Sequence, residues 1–272
     1  MDAWNEVRRD GVRLAYREFG GEGPSLLLLH GLAGHADEWA QTASWLTARC
    51  RVIALDARRH GHSERLPGDV SRDSLVADVA FVVERLSLRP VVVVGQSVGG
   101  LTALSLAARR PDLVRSLVLV DASPAGGGDG VEEAVAATVA ALREWPTPFG
   151  SRAAAEAFFA ARFGDGLAAE AWVSGLEQGE TGWRPRFDVG VMAQALREAI
   201  SVPSWDEWDS IRCPTLVVRA GNGMVDPEIA REMAERMPKA QVIEIPDAAH
   251  DVHLDRPDRW RDALSGFLDA GG

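Results

Sequence analysis

The sequence of 272 residues predicts an α/β protein with a doubly wound, mostly parallel sheet and a helical insertion near its middle. Two apolar runs, 25–29 and 91–94, are continuous rather than alternating, as expected of strands covered by helices on both faces, and 114–120 reads as another buried strand. Helical patterns separate these runs, and that alternation is typical of a parallel sheet. From residue 124 to 208, helical patterns follow one another without strand signals. We therefore expect a core domain formed by residues 1–123 and 209–272, with residues 124–208 inserted as a helical cap.

The remaining elements follow from local signals. Asp10-Gly11 is a turn signal that predicts an opening hairpin, and Arg51–Leu55 reads as a further buried strand. Ser71 is expected to cap an amphipathic helix, because apolar residues recur after it at helical spacing. Beyond the insertion, strands are predicted at 215–220 and 241–245 and helices at 227–237 and 258–268.

One stretch of the chain has the pattern of a nucleophile. The 91–94 run ends at Gly95-Gln96-Ser97-Val98-Gly99, and an apolar helical run begins at once. So abrupt a turn forces Ser97 into a strained backbone conformation and requires neighbours with minimal side chains. It also presents the Ser97 hydroxyl at a helix N-terminus, where backbone amides point at an incoming carbonyl oxygen. A serine hydroxyl is a weak nucleophile alone, so a base, an orienting acid and oxyanion donors are expected elsewhere.

This strand–serine–helix turn resembles the nucleophile elbow of the α/β-hydrolase superfamily, and the resemblance covers most of the chain outside residues 124–208. It implies a histidine on a loop after the last strand. His250 fits this role, since Ala248-Ala249-His250 and the residues to Pro257 resemble the family's histidine loop. His253 is instead expected to open a helical turn and pack inward. The His30-Gly31-Leu32 segment implies that the Leu32 amide joins the Val98 amide as an oxyanion donor.

The orienting acid is less directly indicated. In most relatives it follows the strand predicted at 215–220, but Met224 stands at that position. Asp226 is close by, yet it directly precedes Pro227 and so already fits a helix N-cap. Some relatives draw the acid from the end of the strand after the elbow helix, where Asp121 stands. We assign Asp121 as the acid and keep Asp226, and less favoured Asp247 and Asp251, as alternatives.

The loop at residues 56–63 resembles the family's Asp-x-Arg-Gly-x-Gly-x-Ser segment, with one departure. Arg59 stands where glycine is usual, so the backbone is expected to differ locally. His60 and His62 lie here without a neighbouring carboxylate cluster, and we interpret them as polar loop residues rather than metal ligands.

Composition excludes several classes of partner. The net charge of −11 argues against binding to nucleic acid or to an anionic membrane surface. No apolar run approaches the ~20 residues that a membrane helix needs, and the charged start shows no secretory signal, so a cytoplasmic location is expected. Cys50 and Cys213 are interpreted as buried thiols, and neither a cofactor nor a metal is expected.

The sequence therefore predicts a carboxylic ester hydrolase that acts on a small, largely apolar substrate, including lactones and thioesters, through an acyl-enzyme. The alternatives use the same three residues in a different pocket: a cofactor-free haloperoxidase or perhydrolase, a carbon–carbon bond hydrolase, or a lyase. A non-catalytic ligand receptor is disfavoured by the Ser97/His250 pair. The acyl preference, the natural substrate, the oligomeric state and the cap aromatics that line the pocket are left open.

Overall fold

The computed structural model describes residues 4–272. Its strands are β1 (Asn5–Arg9), β2 (Val12–Gly20), β3 (Ser25–Leu29), β4 (Arg51–Leu55), β5 (Val91–Gln96), β6 (Val114–Val120), β7 (Leu176–Gly179), β8 (Gly182–Pro185), β9 (Thr215–Asn222) and β10 (Gln241–Ala249). Its α-helices are α1 (Ala40–Leu46), α2 (Arg72–Arg85), α3 (Val98–Arg109), α4 (Val131–Arg143), α5 (Arg152–Phe163), α6 (Leu167–Ser174), α7 (Val189–Ile200), α8 (Trp205–Ser210), α9 (Pro227–Arg236), α10 (Val252–Asp255) and α11 (Pro257–Asp269). Short 3-10 turns lie at Ala36–Trp39 and Gly128–Gly130.

The main sheet of this described region has the strand order β1-β2-β4-β3-β5-β6-β9-β10. Strands β4 to β10 of that order run parallel, whereas β1 and β2 pair antiparallel at one edge. The doubly wound, mostly parallel sheet expected from the apolar runs is thus confirmed.

The central strands are apolar throughout because both of their faces are covered. In β5, Val91 and Val93 pack into one buried cluster with α2 and α3, while Val92 and Val94 pack into a second with α1 and α11. Successive side chains of a strand point to opposite faces, so a strand between two helical layers needs an apolar residue at every position.

Parallel strands bring their carboxyl ends to a single edge, and that edge carries the candidate site. β5 ends immediately before Ser97, β6 before Asp121 and β10 before His250. The last strand runs four residues beyond its predicted end, with an irregularity in register between Ile245 and Ala249. This extension carries the chain up to His250.

The segment from 124 to 208 joins β6 to the rest of the core, and its helices α4 to α7 lie where helical patterns predict them. The expectation that it contains no strands is wrong, since β7 and β8 form a small antiparallel hairpin. Most of its aromatic residues pack on one another in a separate cluster: Trp145, Phe149, Phe158, Phe159, Trp172, Trp183 and Phe187. Arg72 ties its far end to the core through hydrogen bonds to the Ala199 and Val202 carbonyls and the Ser204 hydroxyl.

Several local predictions can be checked directly. The opening hairpin turns at Asp10-Gly11, and the Ser71 hydroxyl caps α2 by accepting from the Ser74 amide at 3.2 Å. Cys50 is buried as expected, but Cys213 is only partly buried. Within residues 4–272, no helix is both long enough and apolar enough to cross a membrane.

Candidate active site

Ser97 occupies the sharp corner between β5 and α3. Its φ of 51° and ψ of −119° lie in a region that non-glycine residues rarely adopt. The corner is held at both ends, because the Ser97 amide donates to the Val120 carbonyl at 3.0 Å and its carbonyl accepts from the Leu101 amide at 3.0 Å. The strained corner predicted from the sequence is confirmed.

The glycines on either side of the corner are required by close backbone approach. A Cβ on Gly95 would overlap the carbonyl of Gly99, and a Cβ on Gly99 would overlap the carbonyls of Leu29 and His30. The elbow helix therefore packs directly on the end of β3, which leaves no room for side chains at these two positions.

His250 and Asp121 lie side by side at the carboxyl edge of the sheet. The His250 imidazole donates from Nδ1 to Asp121 Oδ2 at 2.7 Å. Burial alone would lower the pKa of His250, but the Asp121 bond and the charges of Asp251, Asp121 and Glu38 outweigh it and raise that pKa. With its proton fixed on Nδ1, the neutral ring leaves Nε2 free to accept a proton.

The Asp121 carboxylate is buried and fully engaged. Oδ1 accepts from the Ala220 amide at 3.1 Å, and Oδ2 accepts from the Met224 amide at 2.7 Å as well as from His250. Burial opposes ionisation, yet the His250 and backbone hydrogen bonds prevail and lower the pKa of Asp121. The side chain is therefore an anion at neutral pH.

The other aspartates considered from the sequence are engaged elsewhere. Asp226 caps α9, accepting from the Glu228 amide at 2.7 Å. Asp247 pairs with Arg256 at 3.0 Å on the surface. Asp251 accepts from the Gln96 side chain at 3.1 Å. Only Asp121 of the four is hydrogen-bonded to His250 in the described region.

Gln96 was not singled out in the sequence, although it directly precedes Ser97. Its buried amide donates to Asp251 Oδ1 and, at 3.4 Å, to the His250 carbonyl. These hydrogen bonds connect the histidine loop to the residue before Ser97, although the two segments lie far apart in the sequence.

Within residues 4–272, the Ser97 hydroxyl and the His250 imidazole are not hydrogen-bonded to each other. Such bonds are often long in unliganded enzymes and tighten when substrate binds.

The two amides named as oxyanion donors come from adjacent elements. Val98 is the first residue of α3, so its N–H belongs to the helix end that lacks intrahelical partners. Leu32 follows β3, and its side chain packs against the same apolar cluster as Val98. Both residues therefore border the Ser97 corner.

The histidines near the site have structural partners. His30 donates from Nδ1 to the Gly31 carbonyl at 2.7 Å and accepts the Ala57 amide at Nε2, and burial lowers its pKa to about 3. His60 accepts the Ala33 amide at 3.0 Å. His62 has a pKa lowered to about 4, chiefly by burial. Among the described residues, no cluster of His, Cys, Asp or Glu could hold a metal ion.

His253 lies in the first turn of the short helix α10 and packs inward, as expected from the sequence. Its ring stacks on Trp39 with centroids 3.9 Å apart, and its Nε2 lies 3.4 Å from Glu38 Oε1. Burial lowers the pKa of His253 to about 4 and raises that of Glu38 to about 7. Sequence reasoning missed Glu38, because nothing in the local pattern marks an acid that long-range packing buries.

This combination of a parallel sheet and a strained serine corner defines an α/β-hydrolase. The sequence profile of the alpha/beta hydrolase fold matches residues 24–257, and the chain therefore belongs to that family. The resemblance inferred from the motifs is confirmed.

The chain is similar to enzymes of the family over most of its length. It is 33% identical over 255 residues to the sn-1-specific diacylglycerol lipase ABHD11 of Mus musculus, covering 90% of this chain and 81% of that protein. It is 29% identical over 258 residues to 2-(acetamidomethylene)succinate hydrolase of Mesorhizobium japonicum, covering 92% and 90%. The crystal structure of E-2-(acetamidomethylene)succinate hydrolase superposes with a TM-score of 0.87 at 26% identity, covering 98% of this chain and 99% of that one.

Proposed function

We propose that this protein is a serine hydrolase that cleaves a carboxylic ester, lactone or thioester of a small, largely apolar substrate. Ser97 is the nucleophile, His250 the general base and Asp121 the orienting acid. The observation that carries the proposal is the 2.7 Å bond between His250 Nδ1 and Asp121 Oδ2, at the sheet edge where the Ser97 corner lies.

Acylation begins when His250 Nε2 takes the proton of the Ser97 hydroxyl as the oxygen adds to the substrate carbonyl carbon. The Asp121 carboxylate holds the Nδ1–H tautomer and stabilises the imidazolium that forms. The raised pKa of His250 favours this proton transfer.

The tetrahedral intermediate carries its negative charge on the former carbonyl oxygen. The amides of Leu32 and Val98 donate to that oxygen, and one such donor is worth about 3 kcal/mol. As the intermediate collapses, His250 returns its proton to the leaving alcohol or thiol, and Ser97 remains acylated. Water then attacks the acyl-enzyme with His250 again as the base, which releases the acid and restores Ser97.

Apolar side chains beside the corner favour an apolar substrate. The buried residues Val98 and Leu101 of α3 contact Ala199 of α7, and Leu32, Leu196 and Ile200 pack around them. In this proposal residues 124–208 serve as a cap, and α7 packs against the helix that follows the nucleophile. Among relatives, the lipase ABHD11 is similar over most of the chain, which agrees with ester cleavage.

The test combines an active-site label with turnover. Native protein should show a burst with short- and medium-chain p-nitrophenyl esters and should be labelled by a fluorophosphonate at Ser97. Ser97→Ala should lose the label and on the order of 10⁶ in turnover. Ser44→Ala is the matched control, because Ser44 is exposed on α1 and should leave both readouts unchanged.

Three other outcomes of the labelling and turnover test would lead to different conclusions. Labelling at another residue, or equal turnover in Ser97→Ala, would reject the proposal. Labelling of Ser97 without any ester turnover would instead favour the other chemistries of the fold. The absence of both would favour a ligand receptor.

A further inference from the structure

Gln96 is a buried amide at the end of an otherwise apolar strand. Side chains alternate along β5, so Gln96 lies on the same face of the sheet as Val92 and Val94, the face that α1 and α11 cover. Only 2% of Gln96 is exposed. Burying an amide is costly unless its polar groups have partners, so the contacts of this side chain explain why an amide stands here.

Both ends of the Gln96 amide lie against segments that the proposed mechanism uses. Nε2 donates to Asp251 Oδ1 at 3.1 Å and to the His250 carbonyl at 3.4 Å. Oε1 lies so close to Gly31 that a Cβ on that glycine would come within 2.0 Å of it. Gly31 belongs to the loop assigned to the oxyanion. Gln96 therefore contacts the histidine loop and the oxyanion loop, and it is joined covalently to Ser97.

The Asp251 side chain bonds this amide rather than the helix that follows it. Asp251 occupies the N-cap position of α10, but its side chain accepts no hydrogen bond from that helix. Aspartate at an N-cap usually accepts from the N2 or N3 amide. Within residues 4–272, the bond from Gln96 is the one hydrogen bond that the Asp251 carboxylate accepts. The orientation of this carboxylate therefore depends on Gln96.

The charge of Asp251 acts on the proposed base. Burial lowers the pKa of His250 and the Asp121 hydrogen bond raises it, and three carboxylate charges raise it further, those of Asp251, Asp121 and Glu38. The titratable groups that face Asp251 in turn are His250, His253, Glu38 and Asp121. Burial is the main cause of a raised pKa of Asp251. A donor on a carboxylate favours its charged form, so the Gln96 amide counteracts burial.

We propose that Gln96 is a positioning residue that holds the Asp251 carboxylate charged beside His250, so that Asp251 adds to the stabilisation of the imidazolium formed in catalysis. Asp121 fixes the tautomer of the ring by a direct hydrogen bond, whereas Asp251 contributes its charge alone. The same amide joins the histidine loop to the residue before the nucleophile. This role rests on the proposed function, because it concerns the base of that reaction.

The first measurement needs no substrate. The pKa of His250 is followed by NMR of its ring Cε1–H, which is assigned as the signal that His250→Asn lacks. Asp251→Asn keeps an oxygen for the Gln96 amide but removes the charge, so the pKa of His250 should be lower than in native protein. Asp247→Asn is the matched control, because Asp247 pairs with Arg256 on the surface, and it should leave the pKa of His250 unchanged.

Gln96→Leu tests the amide itself. Without its donor the Asp251 carboxylate should take up a proton more readily, so the pKa of His250 should again be lower. The double variant Gln96→Leu/Asp251→Asn should match Asp251→Asn alone, because one charge can be lost only once. With p-nitrophenyl esters, kcat of Gln96→Leu should fall by up to about 10²-fold with KM nearly unchanged, since the base is displaced but the substrate pocket is not.

The outcomes separate this proposal from the proposed function. An unchanged pKa of His250 in Asp251→Asn would overturn the role of the pair whether or not the protein cleaves esters, and this nearly isosteric variant decides the question if Gln96→Leu does not fold. Additive shifts in the double variant would equally overturn it, because Gln96 would then act independently of Asp251. The expected shifts in a protein that is not labelled at Ser97 would reject ester hydrolysis while supporting the effect of the pair on His250.

Discussion

Replacing Asp121 with asparagine tests how the acid acts, because every oxygen of this carboxylate faces an N–H group. Oδ2 accepts from His250 and the Met224 amide, and Oδ1 accepts from the Ala220 amide. An asparagine NH₂ at the Oδ2 site would force His250 to accept at Nδ1, which puts its proton on Nε2 and removes the base. At the Oδ1 site it would leave the buried Ala220 donor unpaired, at about 1–3 kcal/mol.

Both orientations also remove the negative charge that stabilises the imidazolium. We therefore expect Asp121→Asn to lose about 10⁴ in kcat/KM with p-nitrophenyl esters. That loss corresponds to about 5.5 kcal/mol of transition-state stabilisation.

The pH profile distinguishes this explanation from a general loss of fold. His250 must be neutral to accept a proton, so activity falls as the pH drops through its pKa. Because that pKa is raised, the acidic limb of native kcat/KM should lie above pH 6.5. The residual activity of Asp121→Asn should have its limb at lower pH, since the bond and the charge that raise the pKa are gone.

Asp226→Asn is the matched control. Asparagine caps helices as well as aspartate does, so turnover and stability should both remain native-like. A folded Asp121→Asn protein with kcat/KM within tenfold of native would refute the assignment of Asp121, and a large loss in Asp226→Asn would favour the alternative acid.

Three further outcomes are expected. Burial raises the pKa of Glu38 from 4.5 in the unfolded chain to about 7 in the folded protein. Between these pH values the folded protein keeps a proton on Glu38 that the unfolded chain has released, so the free energy of unfolding decreases as the pH rises from 4.5 to 7. Urea unfolding of Glu38→Gln should show that slope reduced by up to about 1.4 kcal/mol per pH unit. Gly99→Ala should lose about 1–3 kcal/mol or more by overlap with backbone, whereas Gly266→Ala, in open space on α11, should gain about 0.5–1 kcal/mol. Leu196→Ala should shift kcat/KM toward longer acyl chains, because Leu196 packs beside Val98, and an unchanged chain-length profile would contradict that placement.

The strands and helices of the core could be predicted because the sequence features that specify them are local and agree with one another. The β5 run and the glycines around Ser97 specify a buried strand, a tight corner and a close-packed helix within eleven residues. Ser71 and Asp226 are likewise readable, since an N-cap depends only on the residues that follow it. Such features need no knowledge of distant chain segments.

What could not be predicted depends on distant contacts or weak propensities. The β7–β8 hairpin contains glycine, charged residues and proline, which are poor strand formers, and Trp183 of this hairpin also bridges to Phe149. The sequence marks Arg59 as a departure from glycine, but not its complete burial, which occurs beside residues of α2 and α3. The choice among the aspartates depends on a contact between residues 129 positions apart in the chain.

The way in which β6 and its neighbour β9 fit together supports the proposal that Asp121 is the acid. Strand β9 and the loop after it supply two backbone donors to Asp121, the amides of Ala220 and Met224 respectively. Gly223 in that loop lies so close to the Asp121 carboxylate that a Cβ on it would overlap the carboxylate oxygens. A side chain at residue 223 and a carboxylate from β6 therefore compete for one space beside His250. An acid placed after β6 therefore requires a small residue at position 223 and N–H groups of β9 and its following loop that point at the carboxylate, and this chain has both features.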